Sequence, residues 1–458
     1  MAEYDVIIVG SGPAGIFSAL ELVKESKLKT LIIEKGPDIN KRKCPERLTG
    51  KCAHCEPCRI TSGWGGAGAF SDGKLTLSTE IGGWLSDYVG TAELARLVDY
   101  VDGVYRAFGA TDVVHGTDDE KIRELQRQAT LADMRLVPQK VRHMGTDRSN
   151  DILKLMKRHL DPAIDIKTGV QVINILVEDG RAVGVRTGSG EEITGRFIIV
   201  APGREGADWL NVEARRLGLA PVNNAVDIGV RVEVPAVVME PLTEELYEPK
   251  LIYTSKSFQD RVRTFCVCPY GIVAPESTDG ITTVNGHSYA DKKTDNTNFA
   301  LLVSTVFTEP FKEPIKYGKY IARLANLLGE GIIVQRLGDL MDGRRSTPER
   351  IARGTTAPTF TDATPGDLSF VLPYRYLSDI REMLTVLDKL APGVNSRNTL
   401  LYGVEVKFYS SRMKLTPQLE TEINNLYAIG DGAGVTRGLM QSSASGIVAA
   451  RAILKHNS

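Results

Sequence analysis

The chain has 458 residues, 42% of them hydrophobic and 25% charged, a globular mix that excludes a disordered or collagen-like chain and is long enough for more than one domain. Its 56 Lys and Arg against 57 Asp and Glu give a net charge of -1, which argues against a broad nucleic-acid surface. Two counts stand out: 44 glycines, and six cysteines of which four (Cys44, Cys52, Cys55, Cys58) crowd one short window.

The opening residues lack a basic stretch followed by a small-residue cleavage site. No apolar run is long enough to cross a membrane, so a cytoplasmic protein with no membrane span is expected. Tyr4 to Val9 is a β-branched run that suits a buried parallel strand. The turn Gly10-Ser-Gly12-Pro13-Ala14-Gly15 follows, then a helix through Lys24 and a second buried strand from Leu28 to Glu34. This β-α-β context is what a dinucleotide-binding glycine fingerprint requires. Gly10 permits the tight turn, Gly12 lets backbone approach a pyrophosphate, and Gly15 lets helix pack on strand. The phosphates would sit on the helix N-terminus. Glu34, with Lys35 beside it, ends the second strand. An acid there accepts from a ribose 2′-hydroxyl and favours FAD or NAD over NADP.

Residues 37–80 show little regular pattern. Helices are expected over 91–108, 119–134 and 152–160, the last capped by Ser149, and then a meander of strands over 171–178, 181–187 and 191–200. Residues 226–335 alternate in strand fashion and read as a separate antiparallel α+β unit. Helices over 315–328 and 377–390, a strand over 425–429, a glycine turn at 430–434 and a small-residue helix over 442–454 complete the chain.

The segment NLYAIGDGAG at 425–434 resembles the C-terminal flavin motif of glutathione-reductase-type flavoproteins, and FIIVAPG, ending at Gly203, resembles their second strand motif. That resemblance implies FAD as cofactor, with Gly430 and Asp431 at its ribityl chain and the last helix pointing its N-terminus at the flavin. The glycine-rich run GWGGAGAFSDGKL at 63–75 is similar to a signature of bacterial and archaeal FAD-dependent dehydrogenases of unassigned substrate. So are FCVCP at 265–269, NGH at 285–287, GRRST at 343–347, GVEVKFY at 403–409 and GAGVTRG at 432–438. The resemblance implies an α/β fold with a Rossmann-type FAD-binding domain, a parallel sheet plus β-meander, and an inserted α+β substrate domain. The FAD domain is expected over 1–225 and 400–458, with a helical insertion near 80–145, and the substrate or cap domain over 226–399. Gly66, Ser71, Asp72 and Gly438 join the expected cofactor contacts.

Cys52, Cys55 and Cys58 have the spacing of a ferredoxin cluster, and Cys44 could supply a fourth thiolate. The same four could hold zinc, or be plain thiols in a reducing compartment. Cys266 and Cys268 are read as two small residues on a strand, one toward the core and one toward a cleft. For chemistry on a substrate, His287 and Tyr289 are candidates for proton transfer. Arg345, with Arg344, could clamp an anionic group, and Tyr409, with Lys407 and Arg412, could contact substrate.

The leading expectation is an FAD-dependent oxidoreductase moving a hydride between flavin N5 and a small or medium organic substrate, with NAD(P)H or a protein carrier as electron partner. Two alternatives are an electron-transfer subunit with a Cys-ligated iron–sulfur cluster and a flavin-dependent RNA-modifying protein. The net charge and the lack of a basic tract count against the second, and no nucleic-acid partner is expected.

Overall fold

The computed structural model describes residues 2–45, 53, 55–71, 73–220, 225–278, 280–289, 293–305, 307, 310–311, 313–407 and 412–457. It divides into two units, one of Met1–Val113, Arg142–Asn224 and Tyr409–Ser458, the other of Val114–Val141 and Ala225–Phe408.

The first unit is built on a 7-stranded sheet. The strand Tyr4–Val9 pairs in parallel with Thr30–Glu34 on one side and Glu192–Val200 on the other. Asp165–Thr168 extends the sheet in parallel beyond Thr30–Glu34. Leu426–Ala428 returns from the far end of the sequence to lie parallel to Glu192–Val200. The meander Val172–Glu178, Arg181–Thr187 and Glu192–Val200 is antiparallel, as its Asp-Gly turn and alternation predict. The central strands are buried on both faces, which explains their unbroken apolar runs. The helix Pro13–Glu25 packs against the last helix, Leu439–Asn457. That approach is close because of Gly446: a Cβ there would lie 2.2 Å from the carbonyl oxygen of Ala14. Ser18 Oγ donates across the same contact to Gly446 O at 3.0 Å. The helix expected to start after Ser149 runs from Thr146 to Leu160, and Ser149 instead donates back to Gly145 O within it.

The second unit carries an 8-stranded sheet. Its centre is Val226–Pro235, flanked antiparallel by Asn296–Thr305 and Leu400–Lys407. Helices Ala236–Leu246, Pro314–Gly329 and Tyr374–Leu387 contribute apolar side chains to the core over one face, with Val226, Ile228, Val230, Val232 and Val234. A hairpin, Ile272–Thr278 with Ile281–His287, completes the unit. Two stretches fall differently from the expected division. Residues 114–141 go with the second unit because Met134–Val137 pairs with Lys250–Thr254. Residues 400–408 do so because Leu400–Lys407 is a central strand of its sheet.

Candidate functional site

Two groups of functional side chains are assembled, one in each unit. In the first unit the parallel strands end together. Gly10 N donates to Ile33 O, Ala201 N to Val9 O and Ile429 N to Val200 O, so four strands deliver their carboxyl ends to one edge of the sheet. In open α/β sheets that edge is where ligands bind. The expected turns are there. Gly10 sits at φ +104°, and a Cβ on it would lie 2.2 Å from Ala201 O. Gly12 differs: its φ is -72°, and a Cβ would meet nothing within 4 Å. It caps the helix Pro13–Glu25 without a side-chain hydrogen bond. The first-turn N–H groups beside Pro13, Ala14 and Gly15 are therefore open to an anion, and the cradle fits a dinucleotide pyrophosphate.

The 63–70 loop lies along this turn. Gly65 N donates to Ser11 O at 2.8 Å, and a Cβ on Gly66 would stand 3.2 Å from Gly12 Cα. Trp64 is fully buried and donates from Nε1 to Leu153 O. Ser71 donates to Gly68 O and accepts from Gly73 N, which shapes the loop; Asp72 lies outside the described residues. The Gly430–Asp431 turn also reaches this edge, with Gly432 close to Gly203 O. Asp431 accepts from Thr436 Oγ1 at 2.7 Å and from Gly438 N. Burial raises its pKa, against the lowering effect of Thr436 and Arg204.

Two expected contacts have other partners. Glu34 accepts from Ser11 N, Ser11 Oγ, Gly36 N and Gly63 N at 2.8–3.0 Å, so its carboxylate knits the turn to the 63–70 loop. Four such bonds fill a carboxylate's usual acceptor sites. Lys35 pairs with Glu205 at 2.6 Å, and Thr61 and Ser62 donate to the same carboxylate.

Among the described residues no three His, Cys, Asp or Glu side chains are placed to hold an ion; Cys52 lies outside them. Residues 59–66, which follow Cys58, are tied together by Arg42, a residue that no sequence motif singles out. Its guanidinium donates to the carbonyls of Arg59, Ile60, Trp64 and Gly66 at 2.6–3.1 Å. Burial pulls its pKa down to about 10.

In the second unit the central strand alternates apolar residues with Asp227, Arg231 and Glu233, and both faces are buried. Arg231 grips Glu405 with two donors at 2.8 and 3.3 Å. Its third nitrogen donates to Asn298 Oδ1 at 2.7 Å and Cys266 O at 3.1 Å. Burial works to lower its pKa, but Glu405 and the thiols of Cys266 and Cys268 raise it overall. Lys407 adds a second cation 3.1 Å from Glu405. Asn298 Nδ2 is buried with no hydrogen-bond partner among the described residues. Gly286 leaves room for this cluster, since a Cβ there would lie 2.2 Å from Arg231 Nη1. Three motifs far apart in sequence, at 265–269, 285–287 and 403–409, thus converge on Arg231.

Cys266 and Cys268 belong to the same cluster. They are not split between core and cleft: residues two apart on a strand share a face, and their sulfurs are 4.0 Å apart. His287 ends the hairpin strand opposite Ile272, and Tyr289 follows it, half-buried. Arg345 is exposed on a separate loop, where Asp339 holds Arg344 and Ser346. Tyr409 lies outside the described residues.

Residues 5–41 match the model of an FAD binding domain. Residues 226–408 match that of an FAD-dependent protein, C-terminal domain-like. An uncharacterized protein of Clostridium beijerinckii is 28% identical over 475 residues, covering 98% of this chain and 80% of its own length. Among solved structures, the formate oxidase of Aspergillus oryzae aligns with TM-score 0.47 at 12% identity over 99% of this chain and 98% of its own. The glycine oxidase from Geobacillus kaustophilus aligns with TM-score 0.42 at 13% identity over 99% and 95%. With the FAD-binding match lying on the Gly10–Gly15 turn, the chain is an FAD-dependent protein, and because FAD supplies hydride and electron transfer, it is an oxidoreductase.

Proposed function

We propose that the chain is a dehydrogenase or reductase that moves a hydride between the flavin and a small or medium organic substrate. The observation that carries the reading is Gly12, an uncapped helix start with open space where a Cβ would be, at the carboxyl edge of a parallel sheet. When bound, FAD would supply the hydride acceptor and donor at N5. The N–H groups of Gly12, Ala14 and Gly15 would hold its pyrophosphate, with Gly10 and Pro13 shaping the turn. Gly66, Gly203, Gly430, Asp431 and Gly438 would line the rest of its length. Glu34 acts indirectly in this reading, by fixing Ser11 and Gly63. Of the expected catalytic side chains, His287 ends the hairpin strand whose Gly286 approaches Arg231, Tyr289 follows it, and both keep the role of proton donors to substrate. Arg231 and Lys407 are better placed than exposed Arg345 to set the charge of a substrate site, and Asn298 Nδ2 to donate to it. NAD(P)H or a protein carrier would supply or remove the electrons.

The test is anaerobic purification followed by a screen of amines, hydroxy acids and reduced nicotinamides for compounds that bleach the visible flavin band, then for acceptors that restore it. Bleaching by one compound class, abolished in Gly12→Val, supports the reading. A bound flavin that no donor reduces and no photoreduced form passes to an acceptor defeats it.

A further inference from the structure

Cys266 and Cys268 stand on an irregular stretch of the strand Arg261–Cys268. Its pairing with Asn296–Thr305 shifts between Phe265 and Cys268, so the strand carries one extra residue there. Cys266 takes φ +45°, a backbone position usually left to glycine. A non-glycine residue held there carries strain, and such strain gathers at functional positions. The result is a sulfur pair 4.0 Å apart, with Cys268 Sγ also 4.0 Å from Arg231 Nη1. The two sulfurs differ in access: Cys266 is half-buried, and Cys268 has no exposed surface. A disulfide needs about 2.05 Å between sulfurs, so a closure of roughly 2 Å joins them. A buried guanidinium beside a thiol favours its thiolate.

We propose that Cys266 and Cys268 form a redox-active dithiol that a low-molecular disulfide oxidises to an intramolecular bond. The step balances as thiol–disulfide exchange. The Cys266 thiolate attacks one sulfur of the small disulfide, forming a mixed disulfide and releasing one small thiol. The Cys268 thiolate, stabilised by Arg231, then attacks Cys266 Sγ and releases the second small thiol. The protein loses two thiol hydrogens and two electrons, and the small disulfide gains them. Oxidation leaves Cys268 Sγ unable to carry either a proton or a negative charge beside Arg231, which alters the cluster shared with Glu405 and Lys407.

The experiment equilibrates the full-length protein, as purified with its cofactor, in glutathione buffers from fully reduced to fully oxidised. Acid quenching, alkylation and trypsin follow. Cleavage after Arg263 and Lys292 yields one peptide in which Cys266 and Cys268 are the only cysteines, separate from the 44–58 group. The expected result is that both thiols of this peptide vanish together along one titration curve, with loss of two hydrogens and no retained glutathione. Cys268→Ser should instead trap glutathione on Cys266. The wild-type measurement decides the matter alone if that variant does not fold. Two alkylatable thiols at every ratio, or stable glutathione on wild-type Cys266, would overturn the proposal.

Discussion

At Gly10 and Gly12 the same residue type answers two different demands. Gly10 has a left-handed φ and a carbonyl where its Cβ would be; Gly12 has neither. Gly10→Ala should therefore destabilise the fold by on the order of 2–4 kcal/mol, lowering Tm with or without flavin. Gly12→Ala should leave the apoprotein's Tm unchanged and weaken FAD binding by roughly tenfold or more, about 1.4 kcal/mol, measured by flavin titration. Equal losses of apoprotein stability in both variants would show that Gly12 serves only the turn. Arg231 presents a third case. Removing it leaves the Glu405 carboxylate in the interior with Lys407 as its one cation among the described residues, so Arg231→Met should cost about 3–5 kcal/mol in denaturant unfolding.

The helix Tyr374–Leu387 shows how a buried charge sets a pH dependence. Asp379 on it is fully buried, and burial, with the carboxylates of Asp260 and Glu382, pushes its pKa up to about 6. A carboxyl whose folded pKa lies above its unfolded value near 3.9 holds a proton in the folded state that the unfolded state has released. Its contribution is complete below about pH 4 and is lost as pH rises through about 6. Asp379→Asn should accordingly raise the unfolding free energy at pH 7.5 by on the order of 1–3 kcal/mol, seen as a higher Tm, and change little at pH 4. An equal effect at both values would contradict the assignment. At this scale the β-α-β opening was readable from sequence because its strands are neighbours in the chain and its glycines have fixed spacing. The polar face of Val226–Pro235 was not. Alternating charges on a strand ordinarily mean a solvent face, and here distant partners bury them: Glu405, 174 residues away, for Arg231, Arg263 for Asp227, and Tyr402 for Glu233. The irregular backbone at Cys266 was hidden for a related reason: an extra residue in a strand leaves no mark on hydrophobic periodicity. Arg42 lay hidden because its partners are backbone carbonyls, which sequence does not distinguish.

For the whole molecule, the two ends of the sequence build one unit while the middle builds the other. The meander and the last helix follow from local patterns. The expected division shifted at 114–141 and 400–408, where a strand joins a sheet assembled from distant segments. If the Gly10–Gly15 turn holds FAD, saturating flavin should stabilise the chain by mass action, by about 2.7 kcal/mol at a hundredfold excess over Kd. Calorimetry with and without FAD should show that gain in the transition that Gly10→Ala also shifts. The most direct measurement is the flavin content of the protein purified without added cofactor, and again after reconstitution with FAD, beside Gly12→Val. The account predicts one tightly held FAD per chain in the wild type and little or none in the variant. A wild-type chain that stays colourless after reconstitution, or a variant that binds FAD equally well, would contradict it.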